Sequence, residues 1–418
     1  MLRMITVMTM VCVTLAGCQT SGAESAVPVT AMPVAQASAE ATPKPAATFP
    51  EWLQGLRSEA RSQGISQRTL DVALAHVRLI ERVIELDGSQ PEFTRPVWSY
   101  LDSAVSETRI RQGRDKLTAH AALLHRVEAE FGVPGEILAG FWGIESDYGR
   151  DMGGFNVIDA LATLAFKSRR GGYFRGELLA ALKILDKGDV ARERMTGSWA
   201  GAMGQTQFMP TIFLKHATDY DGNGRRDIWD SMPDVLASTA HFVKGIGWRT
   251  GESWGEEVRL PQDFPWGEAE LTITKPIDEW RRLGVRPVRG GELAGGGELA
   301  SVLIPGGYSG PAFLVRENFR VIMRYNPAIS YALAVALLAD RIKGAGTIVG
   351  TWPRHEQALA RSEAVELQEQ LARLSFDPGK ADGLLGPSTR NALRRFQASQ
   401  GLVADGFATK AVLERLRH

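Results

Sequence analysis

From Glu51 onward, apolar residues recur at helical spacing. Trp52, Leu56 and Ala60, then Leu70, Val72, Leu74 and Val77, predict helices at the start of the folded body. Helical patterning continues near 98–131, 134–147, 156–167, 174–187, 232–246 and 327–342. Gly-rich breaks fall near 291–297 and 305–310, and short strands are predicted between 254 and 304, at Val258-Arg-Leu and Leu271-Thr-Ile-Thr. A boundary falls around Lys343 to Trp352, where Gly, Thr and Pro cluster. Beyond it lies a compact unit with a weak internal repeat: Asp382-Gly383 with Thr389 and Leu393, then Asp405-Gly406 with Thr409 and Leu413. Each half predicts a turn and a helix, with the Thr as N-cap. The fold class is therefore mainly α with small β elements, and 418 residues accommodate two to three domains.

Before Glu51 the pattern differs. Gln19 to Pro50 is rich in Ala, Ser, Thr and Pro without hydrophobic period, and reads as a disordered tether. Met4 to Ala16 is apolar and too short to span a bilayer as a stable helix. Both cysteines, Cys12 and Cys18, lie here, so the body has no disulfide and no cysteine metal ligand. Leu15-Ala16-Gly17-Cys18 resembles the bacterial lipobox, which implies cleavage before Cys18, lipidation of its thiol and anchoring in a membrane. Gln19 at the next position implies the outer membrane by the enterobacterial sorting pattern. The expected boundaries are a lipoprotein signal over 1–17, a tether over 18–49, a main domain over 50–345, a linker over 346–357 and a terminal module over 358–418. Lys plus Arg balances Asp plus Glu at 48 each, which gives no footprint for nucleic acid.

One carboxylate stands out. Pro134 fits the first turn of a helix through Ile137, Leu138, Phe141, Trp142 and Ile144. Glu145 follows Trp142 by three residues, Phe141 by four and Leu138 by seven, so it falls on the apolar stripe. Glu136 should face water. A desolvated Glu has a raised pKa and is suited to general acid work on a glycosidic oxygen. The competing reading is a buried Glu paired with an Arg such as Arg150. Asp147 lies about 200° round the helix and is poorly placed as the second acid of a glycosidase pair.

The runs GVPGEILAGFWGIESDYGR, NVIDALATLAF with SRRGGYF, and GSWAGAMGQTQFMPTIF resemble, in order, the membrane-bound lytic transglycosylase B family over about residues 50–345. The resemblance implies a lysozyme-like helical core around one catalytic Glu, here Glu145. It implies cleavage between N-acetylmuramic acid and N-acetylglucosamine in peptidoglycan strands. Glu145 first protonates the leaving oxygen, the substrate's own N-acetyl group supports the cation-like C1, and Glu145 then deprotonates the C6 hydroxyl, which closes a 1,6-anhydro ring. Ser198 and Gln207 match substrate-contacting positions, and Met203 matches a cleft-lining one. Gln205-Thr206 departs from the aromatic and Gly frequent in relatives. Tyr325 and Asn326, placed at the opening of the last core helix, and Tyr331 after them match cleft residues, with Asn326 suited to an acetamido group. A turn or cap role for Asn326 is the alternative. Arg169 and Arg170 are either partners for stem-peptide carboxylates or a solvated pair.

Asp219, Asp221, Asn223, the Arg225 carbonyl, Asp227 and Asp230 fall at the ligand positions of an EF-hand loop, with Asp instead of Glu at the twelfth. An acidic turn without metal is the alternative. Some family members bind calcium here, which implies a structural ion; the chemistry itself requires no cofactor. LQEQLARL, ADGLLGPSTRNALRRFQ and GLVADGFAT resemble the type 1 peptidoglycan-binding domain, a three-helix module that would hold the enzyme on its polymer. A water-using muramidase, a non-catalytic wall-binding lipoprotein and a scaffold within a wall-synthesis or turnover complex remain rival readings.

Overall fold

The computed structural model describes residues 48–87, 96–357 and 359–418; the leader, Cys18 and nearly all of the tether lie outside them. Thr48 starts the first helix with a capping box: its hydroxyl accepts the Glu51 amide while the Glu51 carboxylate accepts the Thr48 amide. The last two residues of the expected tether thus belong to α1 (Phe49–Ser62) and its cap. Then come α2 (Gln67–Leu74) and α3 (Glu81–Asp87). The 98–131 stretch divides into α4 (Val97–Ala104), α5 (Glu107–Ala119), capped by Ser106, and α6 (Ala121–Phe131), which ends at Gly132 in the left-handed region.

Two helical layers follow. The hairpin β1 (Phe155–Asn156) with β2 (Thr196–Gly197) encloses α8 (Val157–Lys167) and α9 (Gly171–Lys187). These pack with α1, α2 and α10 (Pro210–His216) around Leu56, Leu70, Ile158, Leu161, Phe174, Leu178 and Phe213, all closed to solvent. A neighbouring core joins α7 (Gly135–Ser146), which carries Glu145, to α11 (Met232–Gly245) and α14 (Ile329–Lys343) through Leu138, Phe141, Val335 and Ala336.

A five-stranded antiparallel sheet covers one side. Its order is β4 (Lys275–Pro276), β6 (Leu299–Leu303), β7 (Ala312–Val315), β3 (Gly255–Arg259), β5 (Arg286–Pro287). Residues 271–274, expected as a strand, form a turn that leads into β4. The central strand is β7, between β6 and β3; residues 300–303 of β6 and 312–315 of β7 are buried, and these two strands flank the second Gly-rich break. Trp280 of α12 (Ile277–Arg282) packs beneath the sheet on Val258, Val302 and Leu314. From the sheet the chain enters α13 (Glu317–Tyr325) and then α14.

The expected linker is an anchored strap. The Glu257 carboxylate accepts the amides of Val349 at 2.8 Å and Gly350 at 2.7 Å, Trp352 packs on Trp98 and Phe313, and Arg354 forms two bonds to Asp102. The terminal module is three helices, α15 (Arg361–Arg373), α16 (Pro387–Ser399) and α17 (Lys410–Arg417). Its repeat rests on two glutamines. Gln368 accepts the Gly383 amide and Gln397 the Gly406 amide, both at 2.8 Å, so each clamps an Asp-Gly turn. Thr409 caps α17 as expected, but Thr389 does not cap α16: that helix starts at Gly386-Pro387, and buried Thr389 instead bonds Gln368 and Pro378. The module is fixed to the sheet region by Glu270, which accepts from Arg390 and Arg394, and by Asp405, which accepts the Tyr308 amide. Among the described residues no single helix is long and apolar enough to cross a membrane.

Candidate active site

Helix α7 is apolar nearly all round, and it starts at the residue after Pro134. It stops because Asp147 (φ 49°) and Tyr148 (φ 60°) adopt left-handed backbone, a conformation unfavourable for side-chain-bearing residues. Two contacts hold that turn. The Asp147 carboxylate pairs with Arg109 and Arg150, and the Tyr148 hydroxyl donates to the Arg109 carbonyl at 3.0 Å. Arg150 is therefore spent on Asp147, and the ion-paired reading of Glu145 falls away. Glu136 is half-buried and bound to Lys343, where the sequence pattern predicted an acid facing water.

Glu145 is half-buried at the end of α7, with Tyr331 of α14 donating its phenol to Oε1. Burial pushes its carboxyl up to about 7; the bond from Tyr331 pulls the other way and only partly offsets this. The two helices meet closely because of Gly140. A Cβ there would lie 2.8 Å from the Val335 carbonyl oxygen and 3.3 Å from the Ala339 side chain. The phenols of Tyr331 and Tyr325 are in turn held neutral by burial and by the Glu145 carboxylate.

Tyr325 ends α13 and does not open the last core helix; α14 starts at Ile329. Its ring lies 4.7 Å from Phe141 and stacks on Tyr331 at 6.4 Å, and its hydroxyl donates to the Thr206 carbonyl at 2.5 Å. Asn326 is exposed beside it, in extended backbone, and its Oδ1 accepts the Ala328 amide at 3.2 Å. The turn role of Asn326 is thus present in the structure.

The loop from Ser198 to Met209 meets Tyr325 at the Thr206 carbonyl. Ser198 Oγ accepts the Ala202 amide at 3.1 Å. Gln207 (φ 50°) donates its amide to the carbonyls of Met152 and Gly204. Both side chains are half-buried. Met203 is closed to solvent and pairs with Phe208 in the core of α1, α2 and α8–α10, so it is a packing residue and not a lining one. Gln205 also points inward: it accepts Trp142 Nε1 at 2.8 Å and donates to the Trp229 carbonyl at 2.7 Å. Its departure from the family pattern therefore lies in the core behind the cleft. Arg170 is engaged by Asp87 and lies over the Phe174 ring, while Arg169 is exposed.

The acidic loop folds on its own side chains. Asp219 accepts the amides of Asn223 and Gly224, Asn223 accepts that of Arg225, and Asp227 accepts those of Trp229 and Asp230. Carboxylate oxygens of Asp219, Asp221 and Asp234 lie within 4.8 Å of one another. Asp230, expected as the twelfth ligand, turns away to Arg194. Asp234 of α11 stands beside Asp219 and Asp221, buried, with the amides of Tyr220 at 2.7 Å and Asp227 at 2.8 Å bound to it; burial pushes its carboxyl up, against those bonds.

The model of the transglycosylase SLT domain matches residues 48–340, and that of the putative peptidoglycan binding domain matches residues 360–416. Membrane-bound lytic murein transglycosylase B of Escherichia coli (strain K12) is 29% identical over 315 residues, 71% of this chain and 83% of that protein. SltB3 from Pseudomonas aeruginosa, solved in complex with NAG-anhNAM-pentapeptide, is 51% identical, covers 89% of this chain and 100% of its own, and superposes with a TM-score of 0.87. Slt35 of Escherichia coli in complex with calcium is 28% identical over 69% of this chain and 91% of its own, with a TM-score of 0.61. The chain belongs to the SLT-domain lytic transglycosylases and carries a C-terminal peptidoglycan-binding domain.

Proposed function

We infer that this chain cleaves the β-1,4 bond between N-acetylmuramic acid and N-acetylglucosamine and leaves 1,6-anhydro-N-acetylmuramic acid ends, with Glu145 as acid and then base. One observation carries the assignment to Glu145: a half-buried carboxyl, aimed by Tyr331, whose pKa burial pushes up to about 7. At neutral pH it is divided between its two forms, as a group that first gives and then takes a proton requires. In the first step the proton goes to the leaving oxygen as the C1–O bond breaks. In the second the C6 hydroxyl proton returns to Glu145 as the C6–O–C1 bond forms. No water is consumed, and the intramolecular nucleophile gains from effective molarity. Asp147 is committed to two arginines, which favours one carboxylate working twice over a glycosidase pair. Digestion of purified sacculi and mass spectrometry test this: products one water lighter than reducing ends are expected from wild type and none from Glu145→Gln. Active Glu145→Gln sinks the assignment.

Ser198, Gln207, Tyr325 and Asn326 are proposed to line the sugar subsites, and Tyr331 to orient the acid. Asp219, Asp221 and Asp234 are proposed to hold a structural calcium; hard oxygen donors converging on one point suit it, and the ion would pin the loop that leads into α11. The likeness to the membrane-bound enzyme of Escherichia coli supports a periplasmic setting in a Gram-negative cell. Anchoring in the outer membrane through lipidated Cys18 rests on the lipobox resemblance, and Cys18→Ala should release the protein into the soluble fraction.

A further inference from the structure

Residue 205 has no place in the chemistry so far, yet it links three parts of the protein. Its side chain accepts Trp142 Nε1 at 2.8 Å and donates to the Trp229 carbonyl at 2.7 Å. Its carbonyl accepts the Ser146 hydroxyl at 2.8 Å, and its amide donates to the Ile228 carbonyl at 2.9 Å. Trp142 lies three residues before Glu145 and Ser146 one after, so both bonds to α7 bracket the acid. The other two bonds go to the backbone that closes the acidic loop. There Asp227 holds the amides of Trp229 and Asp230, and Asp234 holds the amide of Asp227. The next residue, Thr206, accepts the Tyr325 hydroxyl, and the Tyr325 ring stacks on Tyr331.

We propose that Gln205 is a positioning residue for the transglycosylase reaction: it fixes the last turn of α7 against the acidic-loop backbone and so sets where Glu145 stands relative to Tyr331 and the cleft. This rests on the reading of Glu145 as the acid. Gln205 is 8% exposed, both ends of its amide are satisfied, and an aliphatic side chain there leaves the Trp142 N–H and the Trp229 carbonyl without partners. The last turn of α7 then relaxes. A reacting group shifted by about 1 Å loses on the order of a hundredfold in rate.

The test uses the full chain carrying Cys18→Ala on defined glycan strands, with Glu145→Gln measured in parallel. Gln205→Leu should lower kcat by about tenfold or more while KM changes by less than about twofold, and should move the pH limb assigned to Glu145. Gln205→Glu should recover most of the rate at low pH, where its neutral carboxyl can both donate and accept, and lose it as pH rises. Should Gln205→Leu fold poorly, Trp142→Phe removes the same N–H while keeping a ring, and the same split between kcat and KM is expected. An inactive Glu145→Gln together with unchanged kcat and pH limb in Gln205→Leu, its melting temperature alone lowered, overturns the positioning role. An active Glu145→Gln overturns the assignment of the acid instead.

Discussion

The phenol of Tyr331 on α14 donates to the Glu145 carboxylate on α7, across a helix contact that Gly140 allows to close. The bond favours the charged form of Glu145, and burial favours the neutral one by more. Tyr331→Phe should therefore raise the pKa of Glu145 above about 7. The limb of kcat that falls as Glu145 loses its proton should move to higher pH. A pH series on glycan strands measures it, and a limb moved to lower pH contradicts the opposition of burial and hydrogen bond.

The same opposition makes the acid a burden on stability. Glu145 titrates near 7 in the folded protein against an ordinary 4.5, so between those values the native state binds more protons than the unfolded one. Stability contributed by Glu145 is full below about 4.5 and is lost as pH rises through about 7, by roughly 3 kcal/mol. Glu145→Gln, neutral at every pH, should be inactive yet melt higher than wild type at pH 8, with the difference shrinking toward pH 5. Calorimetry across that range measures it. Equal melting temperatures at pH 8 would remove the buried-acid account.

Gly140 carries the close approach. Ala there meets the Val335 carbonyl at 2.8 Å, and Val335 lies one turn beyond Tyr331. Overpacking costs about 1–3 kcal/mol, against which Ala recovers up to about 1 kcal/mol of helix propensity. Gly140→Ala should lose about 1–2 kcal/mol in urea unfolding on that balance. Its kcat should fall further than the stability loss suggests, because α7 moves away from the tyrosine.

Much of this was legible in the chain. The spacing of Leu138, Phe141 and Trp142 placed Glu145 on the apolar face, and the lack of a suitable partner for it agreed with Asp147 turned toward arginines. Local chemistry could also have located the end of α13: Asn326 precedes Pro327, and a residue before Pro is pushed into extended backbone, as observed (φ −143°, ψ 121°). Other features depend on distant contacts. Thr389 was expected as a cap by analogy with Thr409, but Pro387 two residues earlier starts the helix and turns Thr389 inward. Met203 and Gln205 share a loop with the cleft residues, and only the packed core decides that they face away from it.

The junction between the sheet region and the terminal module depends on Glu270. Burial alone would raise its carboxyl, but Arg390 and Arg394 outweigh burial and hold it below its ordinary value. A carboxyl lowered in this way contributes stability above about pH 4.5, lost only as pH falls below it, so the junction should persist across the neutral range. Glu270→Ala leaves two guanidiniums, Arg394 nearly buried, without their acid, at a cost of about 3 kcal/mol or more. Limited proteolysis should then cut the strap between Lys343 and Arg361 faster than in wild type, while activity on short soluble strands is retained. An unchanged cutting rate means that the strap and the contact of Tyr308 with Asp405 suffice.

The acidic loop separates two assignments of its last ligand. Counting twelve positions from Asp219 selects Asp230, but that carboxylate is taken by Arg194. The fold instead brings Asp234 from α11 to within reach of Asp219 and Asp221. The spacing pattern missed it because Asp234 is delivered by the start of a helix, capped by Ser231, and not by the loop itself. Asp234 also holds the amides of Tyr220 and Asp227, so its removal disturbs the loop even without an ion. Asp234→Asn keeps the shape and one acceptor oxygen and removes the charge. Wild type should gain stability from calcium, about 2.7 kcal/mol at a hundred times the dissociation constant. Asp234→Asn should lose that calcium-dependent shift in melting temperature, and Asp230→Asn should keep it. The reverse order would return the ligand role to Asp230, and no shift in any of the three proteins would leave the loop as a hydrogen-bonded turn closed by its own backbone amides.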